Sequence, residues 1–393
     1  AIVDTNEIAP SFHPTPQVQT CVWDVECSDA SKTRLGKPKH ELHKTTSADS
    51  SMPAPSQSVA TSRTKFPTID PSKLKYDDPP VRLGGGTFAD VLKSKNGSFP
   101  GGLTVAVKVL KNYNPSNVEI IWKNLRKEAK AMRQVQHGNL CRFHGISSDL
   151  AKPFLVMEYI PGCSLTKYVE NKEVIIEKEK LRMVLEIANG LEYLHYGVSK
   201  GIVHGDLHPN NIMVQNDRDR TVKIVGFGLA RSEEGTEGGS TISRNGRINL
   251  RYGAPEISTG VKENFATDVY AFGGIVNFVW TKKHPWAQVP DNNSAAASIV
   301  RLQVQGRLPQ LSNDSILSRS PRLRSCWDND AASRPTITEC KEEIGRSFPG
   351  APVVERFPSG PVGERIDWDA VERVVGKEAA DQMKQGEGFT GTL

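Results

Sequence analysis

The alternation of apolar and polar residues becomes regular only from about Val81 onward. From there, runs rich in Val, Ile and Leu at 104–110, 154–159, 211–214 and 221–225 predict β-strands. Between them the apolar spacing changes to three and four. Ile121, Trp122, Leu125, Ala129 and Met132 gather on one face of a helix expected over 118–136. Leu181, Val184, Ile187, Leu191 and Leu194 repeat that pattern over 181–195. The stretch 267–280 is apolar enough to be a buried helix, and 296–306 and 336–347 predict two more. Strands fill the first part and helices the second. An α+β chain of two lobes is expected, divided near Pro161 and Gly162.

The ends read differently. Residues 45–63 are dominated by Ser, Pro, Thr and Ala, too few of them large and apolar to offset the entropy of ordering. Residues 1–77 are therefore expected to be disordered or of low complexity. Within them Cys21–Trp23 form either a short strand or a docking patch. Pro and Gly residues past Phe348 close the domain. A short helix is expected over 367–384 in the tail 349–393, capped by Asp367 and carrying Val371, Val374 and Val375 on one face.

Composition changes this picture little. The chain has 393 residues, 37% hydrophobic and 24% charged, which suits a protein with one large folded region and some unstructured sequence. A formal charge of +5 is mild for this size and does not point to nucleic acid. No run of eighteen apolar residues occurs, so no membrane span is expected. Residues 1–16 lack a basic stretch followed by an apolar one, so no secretory signal is expected there. The six cysteines, Cys21, Cys27, Cys141, Cys163, Cys326 and Cys340, are scattered. They read as reduced thiols in a cytoplasmic or otherwise intracellular protein.

Candidate chemistry begins at Leu83-Gly84-Gly85-Gly86-Thr87-Phe88-Ala89-Asp90-Val91, which joins two expected strands. Glycines let a backbone turn sharply and approach phosphate closely, although three glycines also make an ordinary turn. In Val105-Ala106-Val107-Lys108-Val109-Leu110 a lysine stands among apolar neighbours. Buried, it needs an anion, and Glu128 on the following helix is the best candidate. The pair would then offer an ammonium group to nucleotide phosphates.

Together these segments resemble the eukaryotic protein kinase family over about 81–348, in the style of tyrosine-kinase-like Ser/Thr kinases with a fungal character. The resemblance implies a bilobal protein-kinase-like fold over 78–348. A small β-rich N-lobe with one main helix (78–160) would precede a larger helical C-lobe (161–348). It implies that Gly84 and Gly86 are the first two loop glycines, with Ala89 in place of the third, and that Lys108 and Glu128 are the phosphate-anchoring pair. Phe154–Ile160 resembles the strand entering the hinge. Met157 would then back the adenine pocket, the Glu158 carbonyl and Ile160 amide would bond the adenine edge, and Leu83, Gly85, Val91, Ala106 and Met213 would line it. His204-Gly205-Asp206-Leu207-His208-Pro209-Asn210-Asn211 is similar to the catalytic loop. Asp206 would orient and deprotonate the acceptor hydroxyl, and Asn211 would bind metal. Ala254-Pro255-Glu256, Asp268 and Arg334 match structural positions, with Arg334 paired to Glu256. His204, Phe227 and Met132 would stack between the lobes.

Three departures stand out. Gly205 replaces the arginine that grips a phosphorylated activation segment, which leaves the hydroxyls Ser240, Thr241 and Ser243 without that partner. His208 replaces a lysine. Gly226 replaces the aspartate of the Asp-Phe-Gly stretch, and its side chain offers no ligand atom where magnesium needs hard oxygens. Only neutral Asn211 remains as a side-chain metal ligand unless Glu233 or Glu234 reaches in. The expectation is a pseudokinase that keeps an ATP-binding frame without a firm magnesium site and acts on a protein partner as scaffold or allosteric element. An active Ser/Thr kinase with a protein substrate stays open. So does a small-molecule phosphotransferase, suggested by the wording His-Gly-Asp-Leu-His-Pro and opposed by the Glu256 and Arg334 signatures.

Overall fold

The structure, a computed structural model, describes residues 22–23, 66–85, 89–111, 118–232, 249–290, 292, 294–348 and 351. Two strands precede the strongly patterned region, β1 (Val22–Trp23) and β2 (Thr68–Ile69). There follow β3 (Arg82–Gly85), β4 (Ala89–Lys93), β5 (Val105–Leu110), helix α1 (Val118–Arg133), β6 (Phe143–Ser147) and β7 (Phe154–Glu158). The seven strands make one sheet in the order β1-β3-β4-β5-β7-β6-β2. Its pairings are antiparallel except that of β2 with β6.

The alternation of side chains along β5 explains the added strand β2 at the edge of the sheet. Ala106 faces the main core, while Val105 and Val107 face the other way and cluster with Phe154 and Val156. That second apolar face also needs a cover. Ile69, Leu74 and Tyr76 supply it, while β2 pairs with β6. Residues 66–77, expected to lack structure, thus carry a strand and a 3₁₀ turn, Pro71–Lys73, capped by Asp70. Their own composition does not announce this, because the apolar surface they cover lies elsewhere in the chain.

The second lobe begins with β8 (Gly162–Ser164) and α2 (Leu165–Asn171), whose first turn Ser164 caps. Next come α3 (Glu177–Glu192), β9 (Ile202–Val203), β10 (Ile212–Gln215), β11 (Val222–Ile224) and β12 (Arg231–Ser232). The helices α4 (Pro255–Ser258), α5 (Phe265–Thr281), α6 (Ala295–Val304), α7 (Ile316–Arg319), α8 (Pro321–Arg324) and α9 (Ile337–Ser347) complete it. The fold is bilobal, with a β-rich first lobe around α1 and a helical second lobe. One continuous core runs from Leu83 and Val91 to Ile344.

Helix α3 starts four residues before the apolar periodicity does. Its first turn, Glu177-Lys178-Glu179-Lys180, is charged and carries no pattern, yet its acids suit a helix N-terminus. Helix α5 is buried almost all round. Its start is fixed by a reciprocal cap between Asn264 and Thr267. Among the described residues no helix is long and apolar enough to cross a membrane. Gly86, the tail helix expected over 367–384, Glu233, Glu234, Ser240, Thr241, Ser243, Cys21 and Cys27 lie outside the described residues.

Candidate functional site

The site gathers where the two lobes meet. On β5, Lys108 lies opposite Val91 of β4 and Leu155 of β7. Its ammonium donates to both Glu128 carboxylate oxygens at 2.7 Å. Glu128 is buried on the same face of α1 as Leu125, Ala129 and Met132, so core packing aims the carboxylate at the sheet. A forked pair at this separation in a nearly dry setting is a charge-assisted hydrogen bond. It also stands against the Phe227 segment. A Cβ built at Gly228 would meet Lys108 Nζ and Glu128 Oε2 at 3.8 Å.

The apolar residues expected around an adenine come together. Ala106 pairs with Met157 across β5 and β7, and Leu83, Val91, Ala106, Met157, Ile160 and Met213 share one buried cluster. Gly84 and Gly85 lie on β3, where Trp23 and Val22 respectively pair with them. Glu158 does more than its hinge position suggested. Its carboxylate binds Lys223 of β11 at 3.0 Å and accepts from the Arg142 amide at 3.1 Å, tying the crossing between lobes to both sides.

Below the cleft, Asp268 on α5 organises the loop. Its carboxylate accepts from the amides of His204 at 2.8 Å and Gly205 at 3.0 Å, and lies 3.0 Å from His195 Nε2. Burial alone would raise its pKa. The hydrogen bonds from His195 and from the Gly205 amide outweigh that and hold the carboxyl below its ordinary value. His204 is fully buried, and burial pushes its pKa down. Its Nε2 donates to the Val225 carbonyl at 2.9 Å, and its ring meets that of Phe227 edge-on at 5.4 Å. Far from the cleft, Arg334 forks onto Glu256 at 2.7 and 2.8 Å and lies 5.0 Å from the Tyr270 ring. This staple fastens the stretch through residues 249–256 to the helical lobe. Its other anchors are Arg251, which donates to the carbonyls of Pro285, Trp286 and Val289, and Tyr252, bonded to His284 at 2.7 Å.

The polar end of the cleft centres on Asn211. Its Nδ2 donates toward the Asp206 carbonyl at 2.8 Å, Asp206 Oδ2 at 3.2 Å and His208 Nε2 at 3.0 Å. Gly226 sits opposite with φ +86°, in the left-handed region that glycine adopts without strain. A Cβ built there would lie 2.5 Å from Asn211 Oδ1 and from its Cγ. The Asn211 amide thus fills the space a side chain at 226 would need. Among the described residues the donors here are the neutral carboxamide oxygen of Asn211 and one carboxylate, Asp206, whose Oδ2 accepts from Asn211. These residues do not fit a bound magnesium ion, which needs several hard and mostly anionic oxygens in near-octahedral order.

Sequence reasoning missed His195, the Glu158 anchor and a buried ion pair, Arg231 with Glu263 at 2.6 Å, that ties β12 to the approach to α5. Each joins residues at least sixteen positions apart, with no local spacing to signal it.

Two lobes, a lysine–glutamate pair joining β5 to α1 beside the cleft and a loop hung from a buried helix aspartate define a protein-kinase-like domain. A model of the protein tyrosine and serine/threonine kinase family matches residues 80–344, and the chain belongs to that family. It is similar to the dual specificity protein kinase pyk3 of Dictyostelium discoideum, 29% identical over 69% of this chain and 19% of the relative. The serine/threonine-protein kinase SSK22 of Saccharomyces cerevisiae is 30% identical over 65% of this chain and 20% of its own length. The probable serine/threonine-protein kinase PknB of Lactococcus lactis is 28% identical over 63% and 36%. The matched region therefore spans about a fifth to a third of these relatives.

Proposed function

We propose that this domain is a catalytically impaired kinase that keeps a nucleotide-binding frame and works as a scaffold or allosteric partner in protein signalling. One observation carries the reading: at the position of the metal-binding aspartate stands Gly226, and the neighbouring space is taken by the Asn211 amide. Phosphoryl transfer relies almost wholly on positioning and on neutralising charge as it develops. Without a carboxylate to hold the counter-ion, roughly 4 kcal/mol of transition-state stabilisation is lost, about a thousandfold in rate. Nucleotide recognition leans on other groups: Lys108 with Glu128, the glycine strand, and the apolar walls formed by Val91, Ala106, Met157 and Met213. The glycine at 205 leaves no arginine for a phosphorylated activation segment, so control passes through partner binding. The described cysteines, Cys141, Cys163, Cys326 and Cys340, are all buried, in keeping with an intracellular setting.

The test is transfer of the γ-phosphate to a generic protein substrate, set beside a thermal shift with ATP, with and without magnesium. Transfer at least about a thousandfold below ordinary kinase rates is expected, with stabilisation by ATP that does not depend on magnesium. Turnover at about 1–100 s⁻¹ would reject the reading.

A second reading, an active Ser/Thr protein kinase, is favoured by the assembled Lys108–Glu128 pair and the His204–Phe227 ring contact. Magnesium-dependent stabilisation together with turnover would select it.

A further inference from the structure

The Asn211 amide has a handedness that the loop enforces. Two of the three groups around Nδ2, the Asp206 carbonyl and carboxylate, can only accept, so the nitrogen must face them and Oδ1 must face Gly226. The third group, His208 Nε2, must then also accept. That places the imidazole proton on Nδ1, which is buried and has no hydrogen-bond partner among the described residues. Buried donors are rarely left unpaired, and such an exception calls for a reason. His208 is wholly buried, and Nε2 also lies 3.7 Å from Asp206 Oδ1, so its ring is wedged against both polar residues of the loop.

We infer that His208 is a positioning residue that locks the Asn211 side chain into the space left by Gly226, so that the site is closed to metal by two linked changes rather than one. The inference rests on reading the cleft as a nucleotide site that has lost its magnesium ligand. A Cβ at 226 would stand at 2.5 Å from Asn211 Cγ and Oδ1 and 2.8 Å from Nδ2, separations at which something must move. The part that must move is the amide. It can turn only by leaving all three acceptors, and the imidazole fills the volume beside it. An aspartate at 226 therefore meets a locked neighbour. A change at 208 that removes both the acceptor and the bulk releases the lock.

The experiment uses the full chain and measures the affinity of a fluorescent, non-hydrolysable ATP analogue with and without magnesium, with melting curves confirming folding. Four proteins are compared: wild type, Gly226→Asp, Gly226→Asp with His208→Ala, and Gly226→Asp with His208→Gln. Glutamine keeps an acceptor and much of the bulk. Magnesium is expected to change affinity less than about twofold in wild type, in Gly226→Asp alone and in the glutamine double variant. In the alanine double variant it should tighten binding about tenfold or more. If Gly226→Asp alone gains the full magnesium response, or the alanine and glutamine proteins behave alike, the lock is refuted. Tight magnesium-dependent binding by wild type, or no nucleotide binding by any protein, refutes the underlying reading instead. A nitrogen-15 spectrum of the histidines in wild type tests the lock without any nucleotide. The Nδ1–H tautomer at His208 supports it, and an Nε2–H tautomer overturns it.

Discussion

Single residues set both the chemistry and the acid sensitivity of this domain. His204 folds as the neutral form, because burial lowers its pKa, and burial together with nearby Lys223 and Lys341 pushes His137 down to about 4. The unfolded chain takes up protons at these groups from about pH 6.5 downward, while the folded chain resists. Stability should therefore fall between pH 6.5 and 4, each group adding a slope of at most about 1.4 kcal/mol per pH unit. Urea melts at pH 7.5 and 5.5 check this, and His137→Asn should flatten the curve. Asp268 acts lower. Its folded pKa is depressed, so its contribution is present above about pH 3.9 and is lost as pH falls through the lower folded value. Asp268→Asn turns an acceptor of two buried amides into a group with one donating end. A loss of roughly 3 kcal/mol is expected in the same melts, the upper range for buried groups left unpaired.

Among the elements, α5 shows how packing overrides propensity. Glycine within a helix costs about 1 kcal/mol relative to alanine, which would make Gly273→Ala stabilising on a free helix. Here a Cβ at 273 would lie 2.9 Å from Cys326 Cβ and 3.1 Å from Trp327 Nε1, both buried. Overpacking of this kind costs about 1–3 kcal/mol. Gly273→Ala should therefore lower Tm, and calorimetry would show it. The link between α1 and β5 gives a second expectation. Glu128→Gln removes the negative charge that faces Lys108 and keeps the shape. It should weaken nucleotide-induced stabilisation by about 1–2 kcal/mol, the range for a charge-assisted bond, while Lys108→Met should abolish most of it. Thermal shifts with ATP separate the two. Both elements were legible in the chain. The three-and-four spacing of Trp122, Leu125, Ala129 and Met132 marks the face on which Glu128 also falls, so a buried acid there could be paired with the one lysine of an apolar strand. No such pattern leads to His195 or Glu263, because their partners are fixed by how α3, β12 and α5 cross.

Across the whole molecule, the two lobes share one core, and among the described residues hydrogen bonds and an ion pair also join them. The Glu158 carboxylate holds Lys223 and the Arg142 amide, the Cys141 amide bonds the Ile224 carbonyl at 2.9 Å, and the Ile224 amide bonds the Asn139 carbonyl at 2.8 Å. A scaffold that signals by the relative position of its lobes would do so through these links. Glu158→Ala is expected to loosen them without unfolding either core, read as faster amide exchange in β11 with Tm lowered by only a few degrees. The sequence by itself determined the class of fold, which depends on local periodicity and on short motifs with fixed spacing, and the same signals put forward the candidate cleft residues and Gly226. Tertiary structure alone decided that residues 66–77 cover the outer face of the sheet and that β1 extends the glycine strand. It alone decided that the Asn211 amide, held by His208, occupies the room beside Gly226. Those outcomes depend on which surfaces remain unburied and which acceptors remain unpaired once distant segments meet, and neither quantity exists until the chain has folded.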